Sequence, residues 1–351
     1  MRRLLVLFMT AVLLCAITAC AKKGAGGAEQ VKGKTGVITF QFDIKNVDGD
    51  VPKTSALYVP YPASEESQDI SKIKIDGNFS SQTVKKDDEN RASYIYATWE
   101  NPNDAPKLTF EFTVDSHFKK GSPLKDGGNT IPSDVQPYLA ASEYMPCDNG
   151  QIVELAQTAT ANAVTILEKA RAVYEWTIQN TVRNPDTIGC GLGLPLVTLN
   201  ENSGGGKCAD ISSVFVTMLR AAGVPAREVY GLRIGGKDGE VTGDFHCWAE
   251  FYLPGTGWVQ ADPADVRKAM LVNNLELEDA ATKDSTEFFW NGDDLFRIIL
   301  SRADYGILLN PLQNGTALEY FMYPFGVADG TVLNYFDYKS FSYSVSFKKD
   351  K

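Results

Sequence analysis

Cys208 lies where a chain can form a reactive thiolate. It follows Gly204, Gly205 and Gly206, and apolar residues at helical spacing begin directly after it. Unpaired N–H groups and the helix dipole at a helix start favour negative charge and lower a thiol pKa. The glycines leave room for a substrate backbone, and the N–H of Cys208 is placed for an oxyanion hole. Taken alone, this evidence favours the alternative that Cys208 is a small buried residue at a helix start.

A nucleophilic thiol also needs an imidazole partner, and the chain has two histidines. His117 ends a predicted strand beside two lysines, which is typical of a surface position. His246 lies in FHCWAEFY, where alternation puts it on one strand face with Trp248 and Glu250. The indole would exclude water and favour an imidazole–thiolate pair. The alternative interpretation of His246 is a single structural histidine.

A carboxylate that can orient this imidazole follows in GWVQADP. The PGTG turn joins the two strands as a hairpin, which brings Asp262 near His246. A carboxylate there would fix the tautomer and the orientation of the ring. Because the sequence does not define the strand register, Asp265 and Glu250 are competing candidates. An Asp-Pro turn at the strand end is the other interpretation of Asp262.

The elements that position these residues follow from the hydrophobic pattern. Helical spacing predicts one helix in ANAVTILEKARAVYEWTIQ and another that begins at Cys208 and stops before Gly223 and Pro225. Strands are predicted in AREVYGLRI, FHCWAEFYL and GWVQADP, and the C-terminal tail ends on a further alternating strand. Residues 36–120 alternate with period two between polar turns, which indicates a small antiparallel sandwich. We predict an α+β domain over 121–351, preceded by this all-β sandwich domain.

Four motifs in these segments resemble those of bacterial transglutaminase-like proteins, within the papain-type superfamily. G-x-C-x-D occurs at 206–210, G-[IV]-P-A-R at 223–227, H-x-W-x-E at 246–250 and G-W-x-x-x-D-P at 257–263. They cover roughly residues 200–265, and the helix containing KARAVYEWT resembles the lead-in helix of the family. The resemblance implies a papain-like core in which a Cys-bearing helix packs on an antiparallel sheet.

The resemblance also implies residue roles: Cys208 is the nucleophile, His246 the general base and acid, and Asp262 the residue that orients the imidazole. Trp248 and Glu250 are carried over as supporting residues. The reaction would be acyl transfer through a thioester, which water resolves in a protease or amidase and an amine resolves in a transglutaminase. No cofactor or metal is expected, since we find no EF-hand-like loop and no CxxC spacing. The side-chain oxyanion donor is not assigned.

The N-terminus resembles a lipoprotein signal peptide over residues 1–19. A basic MRR precedes an apolar segment that is short for a membrane span, and ITAC ending at Cys20 resembles the bacterial lipobox. By that resemblance Cys20 is the lipid attachment site, and residues 20–35 form a flexible tether. We therefore expect an extracytoplasmic protein anchored to a bacterial membrane, on the outer membrane or the periplasmic face if the cell has two membranes.

The net charge indicates which kind of substrate to expect, and the cysteines indicate which disulfide bond is possible. The formal net charge is −10, and no basic stripe is present, so a peptide or protein substrate is expected rather than nucleic acid. An exported protein can form disulfides, and a bond between Cys147 and Cys190 is one option. Cys247 alternates to the face opposite His246, which predicts a core residue.

Two other functions compete with an enzyme. The chain could be a non-catalytic binding module on a transglutaminase-like fold, or a cell-envelope scaffold that uses the sandwich. The intact set Cys208, His246 and Asp262 favours the enzyme, because lost activity usually accompanies substitution of the cysteine or histidine. Reactivity of the thiol separates the enzyme from both alternatives.

Overall fold

The computed structural model describes residues 30–87, 91–119, 123–234, 238–292, 296–302, 306–311, 317–337, 339 and 341–350. The predicted lipid site Cys20 and the predicted signal peptide lie outside these residues. The first strand begins at Gln30, so residues 30–35 are strand rather than flexible tether. Residues 30–32 and Thr35 pair antiparallel with residues 115–119, with a register shift between Lys32 and Thr35, and the local composition did not indicate this pairing.

The helices of the described chain are α1 (Gly150–Ala159), α2 (Ile166–Asn180), α3 (Pro195–Asn200), α4 (Cys208–Ala221), α5 (Pro263–Asn273) and α6 (Ala280–Phe288), with a short 3-10 turn at Gln136–Leu139. The strands are β1 (Gln30–Ile44), β2 (Thr54–Pro60), β3 (Gln68–Gly77), β4 (Ser81–Asp87), β5 (Ala92–Glu100), β6 (Lys107–Lys119), β7 (Val182–Arg183), β8 (Gly205–Gly206), β9 (Ala226–Arg233), β10 (Gly239–Glu240), β11 (Phe245–Leu253), β12 (Gly257–Ala261), β13 (Arg297–Ser301), β14 (Phe325–Ala328), β15 (Thr331–Leu333) and β16 (Phe341–Lys349).

The predicted N-terminal sandwich is present as two five-stranded sheets. Their strand orders are β10-β16-β1-β6-β3 and β15-β14-β2-β5-β4. Alternate residues of β1, such as Ile38, Phe40 and Phe42, are buried in a core shared with Leu57 of β2 and Trp99 of β5. The period-two pattern therefore arises from strands that each present one face to this core.

The predicted domain boundary at residue 120 does not describe the sandwich fully. The tail strand β16, assigned by the sequence to the second domain, pairs antiparallel with β1, with Val345 opposite Phe40. Strands β14 and β15 extend the other sheet beside β2. The alternation of β16 indicated its strand character correctly, but local alternation does not reveal that a strand so far along the chain pairs with β1.

A separate four-stranded sheet has the order β12-β11-β9-β13, and its neighbouring strands pair antiparallel. The predicted strands appear here as β9, β11 and β12, and β13 is an addition that the sequence analysis missed. Helix α4 packs on this sheet, with Phe215 and Leu219 in one buried cluster with Ala249 and Phe251. Every residue of α4 from Cys208 to Arg220 is buried, so the helix is a central element and not a surface helix with one apolar stripe.

In the part of the chain that the structure describes, no helix combines the length and apolar character required to cross a membrane.

Candidate active site

Cys208 is the first residue of α4, and the Asp210 carboxylate fixes this helix start. Asp210 Oδ2 accepts a hydrogen bond from the Lys207 N–H at 2.9 Å. Its Oδ1 accepts from the N–H groups of Leu192 and Gly193 at 2.9 and 3.0 Å. One buried carboxylate therefore ties the helix start to the preceding loop. The acidic position of G-x-C-x-D, Asp210, has this structural role.

Near Cys208, neighbouring protein atoms, and not a substrate backbone, occupy the space that side chains at the glycine positions would need. A Cβ on Gly206 would lie 2.4 Å from the Cβ of Asp210, and one on Gly204 would lie 2.6 Å from the Asn180 carbonyl oxygen. A Cβ on Gly191 would lie 1.9 Å from Asp210 Oδ2, and its φ is +97°. The predicted reason for the glycine run is corrected accordingly: the Asp210 clamp and the neighbouring chain occupy that space.

His246 and Asp262 meet as the hairpin predicted. Strands β11 and β12 pair with Ala249 opposite Ala261, which puts the next residue, Asp262, within reach of His246. His246 Nε2 lies 2.7 Å from Asp262 Oδ2, and each side chain is 1 % exposed. Asp262 also caps α5, because its Oδ1 accepts from the Asp265 N–H at 2.9 Å. The carboxylate is therefore fixed at both oxygens.

The competition between carboxylates is resolved by distance. Asp265 Oδ2 lies 3.5 Å from His246 Nε2, against 2.7 Å for Asp262. Arg297 Nη2 contacts Asp262 Oδ2 at 2.7 Å and Asp265 Oδ2 at 2.9 Å, and Arg233 pairs with Asp265. Burial acts to raise the pKa of Asp265, but the charges of His246, Arg233 and Arg297 outweigh it and hold that pKa well below its usual range.

Sequence analysis missed both arginines. Arg297 is fully buried in β13, and a charged residue inside the apolar stretch FRIIL is a signal that would have found it. Arg233 carries no comparable signal, since it ends a strand beside a turn where arginines are ordinary.

The comparisons with known proteins agree with this geometry. Residues 153–263 match the family model described as transglutaminase-like superfamily, a range that contains all three predicted triad residues. An uncharacterized protein of Haemophilus influenzae is 30% identical over an alignment of 370 residues, which covers 96% of this chain and 99% of the relative. The chain belongs to the transglutaminase-like superfamily. The family resemblance inferred from the four motifs is confirmed.

Two further similarities bear on the transglutaminase-like chain. The Bacillus subtilis protein YebA, also uncharacterized, is 38% identical over 90 residues, or 23% of this chain and 12% of that protein. The crystal structure of a candidate cysteine protease from Cytophaga hutchinsonii has a TM-score of 0.52 at 17% identity, and covers 91% of this chain and 99% of its own. The second likeness supports the fold, including the sandwich beside the transglutaminase-like core.

Cys208 and His246 line one cleft of the transglutaminase-like core, with a volume of about 270 Å³. Because His246 Nε2 is engaged by Asp262, the other ring nitrogen, Nδ1, is left for the thiol. A larger depression of about 550 Å³ lies beside Leu124 and Trp290, and none of the three triad residues lines it. We take the smaller cleft as the candidate active site because Cys208 and His246 line it.

Two further thiols surround the nucleophile candidate. The sulfurs of Cys190, Cys208 and Cys247 lie within 4.8 Å of one another. Hydrogen bonds from Cys190 and Cys247, aided by His246, lower the pKa of Cys208 well below its usual range despite burial. The hydrogen bond to Cys208 raises the pKa of Cys190, and burial raises that of Cys247. Cys208 is therefore the sulfur of the three that is favoured as thiolate.

The structure decides two points about the other cysteines, namely the optional Cys147–Cys190 bond and the predicted core position of Cys247. Cys147 and Cys190 are free thiols, and the Cys147 S–H donates to the Leu139 carbonyl at 3.5 Å. Cys190 instead belongs to the surroundings of Cys208. Cys247 is a fully buried core residue, as strand alternation predicted. Helix α4 packs on that same strand face, however, so Cys247 also borders the site.

The two predicted supporting residues have different surroundings. Trp248 is fully buried, and its ring stacks on the His246 imidazole with centroids 5.9 Å apart. Glu250 lies two residues further along β11, where Arg227 and Arg302 bind its carboxylate. Trp248 therefore positions the imidazole, whereas Glu250 belongs to a separate ion-pair network.

The C-terminal tail supplies an aromatic wall to the cleft. The Tyr323 hydroxyl donates to Cys190 Sγ at 3.3 Å, and the Tyr320 hydroxyl donates to the Gly191 carbonyl at 2.7 Å. Phe336 also lines the cleft. Sequence analysis assigned the tail no site role, because nothing local in it indicates its contact with residues 190–191.

Two groups of described side chains have metal-ligating atoms within 4.8 Å of one another, namely Cys190, Cys208 and Cys247, and His246, Asp262 and Asp265. The carboxylates of the second group are already paired with Arg297 and Arg233, whose charges oppose a divalent cation. The three sulfurs are donors of the type that soft metal ions prefer. An ion bound there would occupy Cys208, which fits inhibition better than a cofactor role.

Proposed function

We propose that this protein is a lipid-anchored, extracytoplasmic cysteine enzyme that acts on peptide or protein amides through a thioester. The observation that carries the proposal is the placement of Cys208 and His246 in one cleft, with His246 Nε2 held 2.7 Å from Asp262. Fold alone would not support an activity. Here the nucleophile, the base and the orienting carboxylate are all present and buried.

Acylation begins with the Cys208 thiolate attacking the amide carbonyl carbon. The helix dipole of α4 and the N–H of Cys208 stabilise the negative charge that develops on the carbonyl oxygen. The adjacent Ala209 N–H already donates to the Cys190 carbonyl at 2.9 Å and is not available for this. Protonated His246 donates its proton to the leaving nitrogen, the C–N bond breaks, and a thioester to Cys208 remains.

Deacylation reverses these roles. Neutral His246 removes a proton from the incoming water or amine, which attacks the thioester carbon, and the C–S bond breaks to return the Cys208 thiolate. Asp262, bonded to Nε2, keeps the ring oriented through both steps. Water gives a protease or amidase and an amine gives a transglutaminase. A fluorescent amine added with each candidate amide separates them, since transfer incorporates the amine and hydrolysis does not.

The location belongs to the proposal through the ITAC segment that ends at Cys20. Labelling cells with a radioactive or clickable fatty acid should label the native protein and leave Cys20→Ser unlabelled. Equal labelling of both, or of neither, would remove the lipid anchor from the proposal without touching the proposed chemistry.

The chemistry is tested by alkylating the protein with iodoacetamide from pH 4 to pH 10 and mapping each thiol by mass spectrometry. Cys208 should react with an apparent pKa well below about 8.5. The change His246→Ala should raise that apparent pKa, because an imidazolium that stabilises the thiolate is lost. Cys147 does not line the cleft, so its alkylation serves as an internal reference in every sample.

An inert Cys208, or one that titrates like a free thiol in both proteins, would contradict the proposed dyad. The non-catalytic binding module would then be the better account. A reactive Cys208 instead justifies screening amide donors, with Cys208→Ala as the inactive reference.

A further inference from the structure

The cleft at Cys208 is strongly cationic in an acidic protein. Its lining includes Arg183, Lys207, Arg233 and Lys268, and a single acidic side chain, Asp244. Four positive charges less one negative charge give +3, whereas the whole chain has a formal net charge of −10. The net charge of the cleft is therefore opposite in sign to that of the whole chain, and the overall composition does not explain it.

These cations come from separate elements that converge on the nucleophile. Arg183 is in β7, where it pairs with Gly206 of β8, two residues before Cys208. Lys268 projects from α5, the helix that Asp262 caps. Lys207 directly precedes Cys208. The cleft is thus surrounded by positive charge from both the helix-start side and the imidazole side.

Structural ion pairing accounts for the arginines behind the site but not for all of these cations. Arg297 and Arg233 face Asp262 and Asp265, which is a balanced set of two positive and two negative groups. The thiolate of Cys208 is balanced by protonated His246. Arg183, Lys207 and Lys268 then remain, and Asp244 offsets only one of them.

Two of these cations are partly desolvated, and the described residues compensate for this only in part. Arg183 Nη1 is buried and has no hydrogen-bond partner in the described parts of the chain. Lys268 is half-buried, and none of the described residues forms an ion pair or hydrogen bond with its amino group. Burial, followed by the charges of Arg233 and Arg183, lowers the pKa of Lys268, although Asp265 and Cys208 act in the opposite direction. Such groups raise the free energy of the empty cleft, and an anion bound between them would relieve this.

We propose that the acyl donor carries a carboxylate next to the amide that Cys208 attacks, and that Arg183 and Lys268 bind it. This inference rests on the proposed function, because it places the carboxylate relative to the thioester chemistry. A guanidinium presents paired N–H donors to a carboxylate, and an ammonium adds a point charge. The substrate class is therefore acidic peptides, with the carboxylate on a side chain or at a free C-terminus.

The first test compares two small electrophiles that differ in one carboxylate. Iodoacetate and iodoacetamide both alkylate thiolates, so the ratio of their rates at Cys208 cancels the pKa of the thiol. We expect this ratio to exceed that of free cysteine by about tenfold at low salt and to fall as salt is added. Lys268→Met and Arg183→Gln should each lower the ratio, while Lys283→Met, an exposed lysine on α6, should leave it unchanged.

The iodoacetamide rate alone keeps the two proposals distinguishable. If Cys208 does not react with iodoacetamide, the proposed function fails. If it reacts normally but the ratio equals that of free cysteine, or is the same in the cleft variants, the carboxylate site fails and the enzyme remains. Near-ultraviolet circular dichroism that matches the native protein shows that Lys268→Met and Arg183→Gln are folded, and the ratio of rates within each variant cancels any change in the Cys208 thiolate fraction.

The second test identifies the source of the carboxylate. Three probes compete with iodoacetamide for Cys208: acetyl-Ala-Glu-Ala-amide, acetyl-Ala-Gln-Ala-amide, and acetyl-Ala-Gln-Ala with a free C-terminus. At least one acidic probe should protect Cys208 at a concentration about tenfold below the neutral probe, and Lys268→Met should abolish the difference. Protection by the first indicates a side-chain carboxylate, and protection by the third a terminal one. Equal protection by all three probes would overturn the proposal.

Discussion

Cys208 shares its surroundings with two other thiols, and the three sulfurs differ in which protonation state is favoured. The position at the start of α4 favours the thiolate, as the sequence predicted. The structure adds hydrogen bonds from Cys190 and Cys247, which are the leading causes of the lowered Cys208 pKa. The reactivity of this residue therefore depends on neighbours that are 18 and 39 positions away in the chain and that the four motifs do not specify.

Replacing Cys190 tests this dependence. The change Cys190→Ala removes one S–H donor to the thiolate, so the apparent pKa of Cys208 should rise and its alkylation at pH 7 should slow by about tenfold. Cys190→Ser keeps an O–H donor at the same place and should lose less. Iodoacetamide rates measured across pH with peptide mapping give both values. Unchanged Cys208 titration in Cys190→Ala would show that the dipole and His246 suffice.

At the scale of elements, the site is the junction of a helix start, a hairpin and a loop. The hairpin could be predicted because β11, its turn and β12 are contiguous in sequence, and Asp262 follows directly. The loop at 190–193 could not, because its contact with α4 depends on Asp210 accepting N–H bonds from Leu192 and Gly193. This contact joins segments that are separated in the sequence, and the only local sign of it in the sequence is a glycine, Gly191.

Gly191→Ala probes that junction. The added Cβ would lie 1.9 Å from Asp210 Oδ2, at a φ of +97° that side chains rarely adopt. We expect the free energy of unfolding to fall by more than about 2 kcal/mol, as measured by urea denaturation. Gly150→Ala is the matched control, since nothing lies within 4 Å of its Cβ position. Equal free energies of unfolding for the two variants would mean that Asp210 moves away from the added Cβ without a measurable loss of stability.

At the scale of the whole molecule, the sandwich is part of the active-site cleft. Strand β16 supplies Tyr343 to the cleft lining, and its Val345 N–H donates to Thr242 Oγ1 at 2.8 Å, beside the turn that precedes His246. The sequence indicated a sandwich and a transglutaminase-like core correctly, yet as consecutive domains. Their interleaving follows from long-range pairing of β16 with β1, which the alternation of either strand alone leaves undetermined.

A buried ion-pair network also joins these regions. Glu250 on β11 binds Arg227 and Arg302, and Arg302 also pairs with Glu65 of the N-terminal segment. Burial acts to raise the pKa of Glu250, but Arg302 and Arg227 outweigh it and lower that pKa from 4.5 to about 2. Burial raises the pKa of Glu65 despite its arginine partner. The two carboxylates of one network therefore make stability depend on pH in opposite directions.

The sign for Glu250 follows from linkage. Its folded pKa lies below its unfolded value, so its contribution to stability is complete above about pH 4.5 and disappears as the pH falls toward 2. Glu250→Gln should lower the free energy of unfolding by roughly 3 kcal/mol at pH 7 and by much less near pH 2. Urea denaturation at several pH values measures this. Glu65→Gln, the matched control on the same arginine, should cost less at pH 7, and a Glu250→Gln loss independent of pH would contradict the assignment of the network.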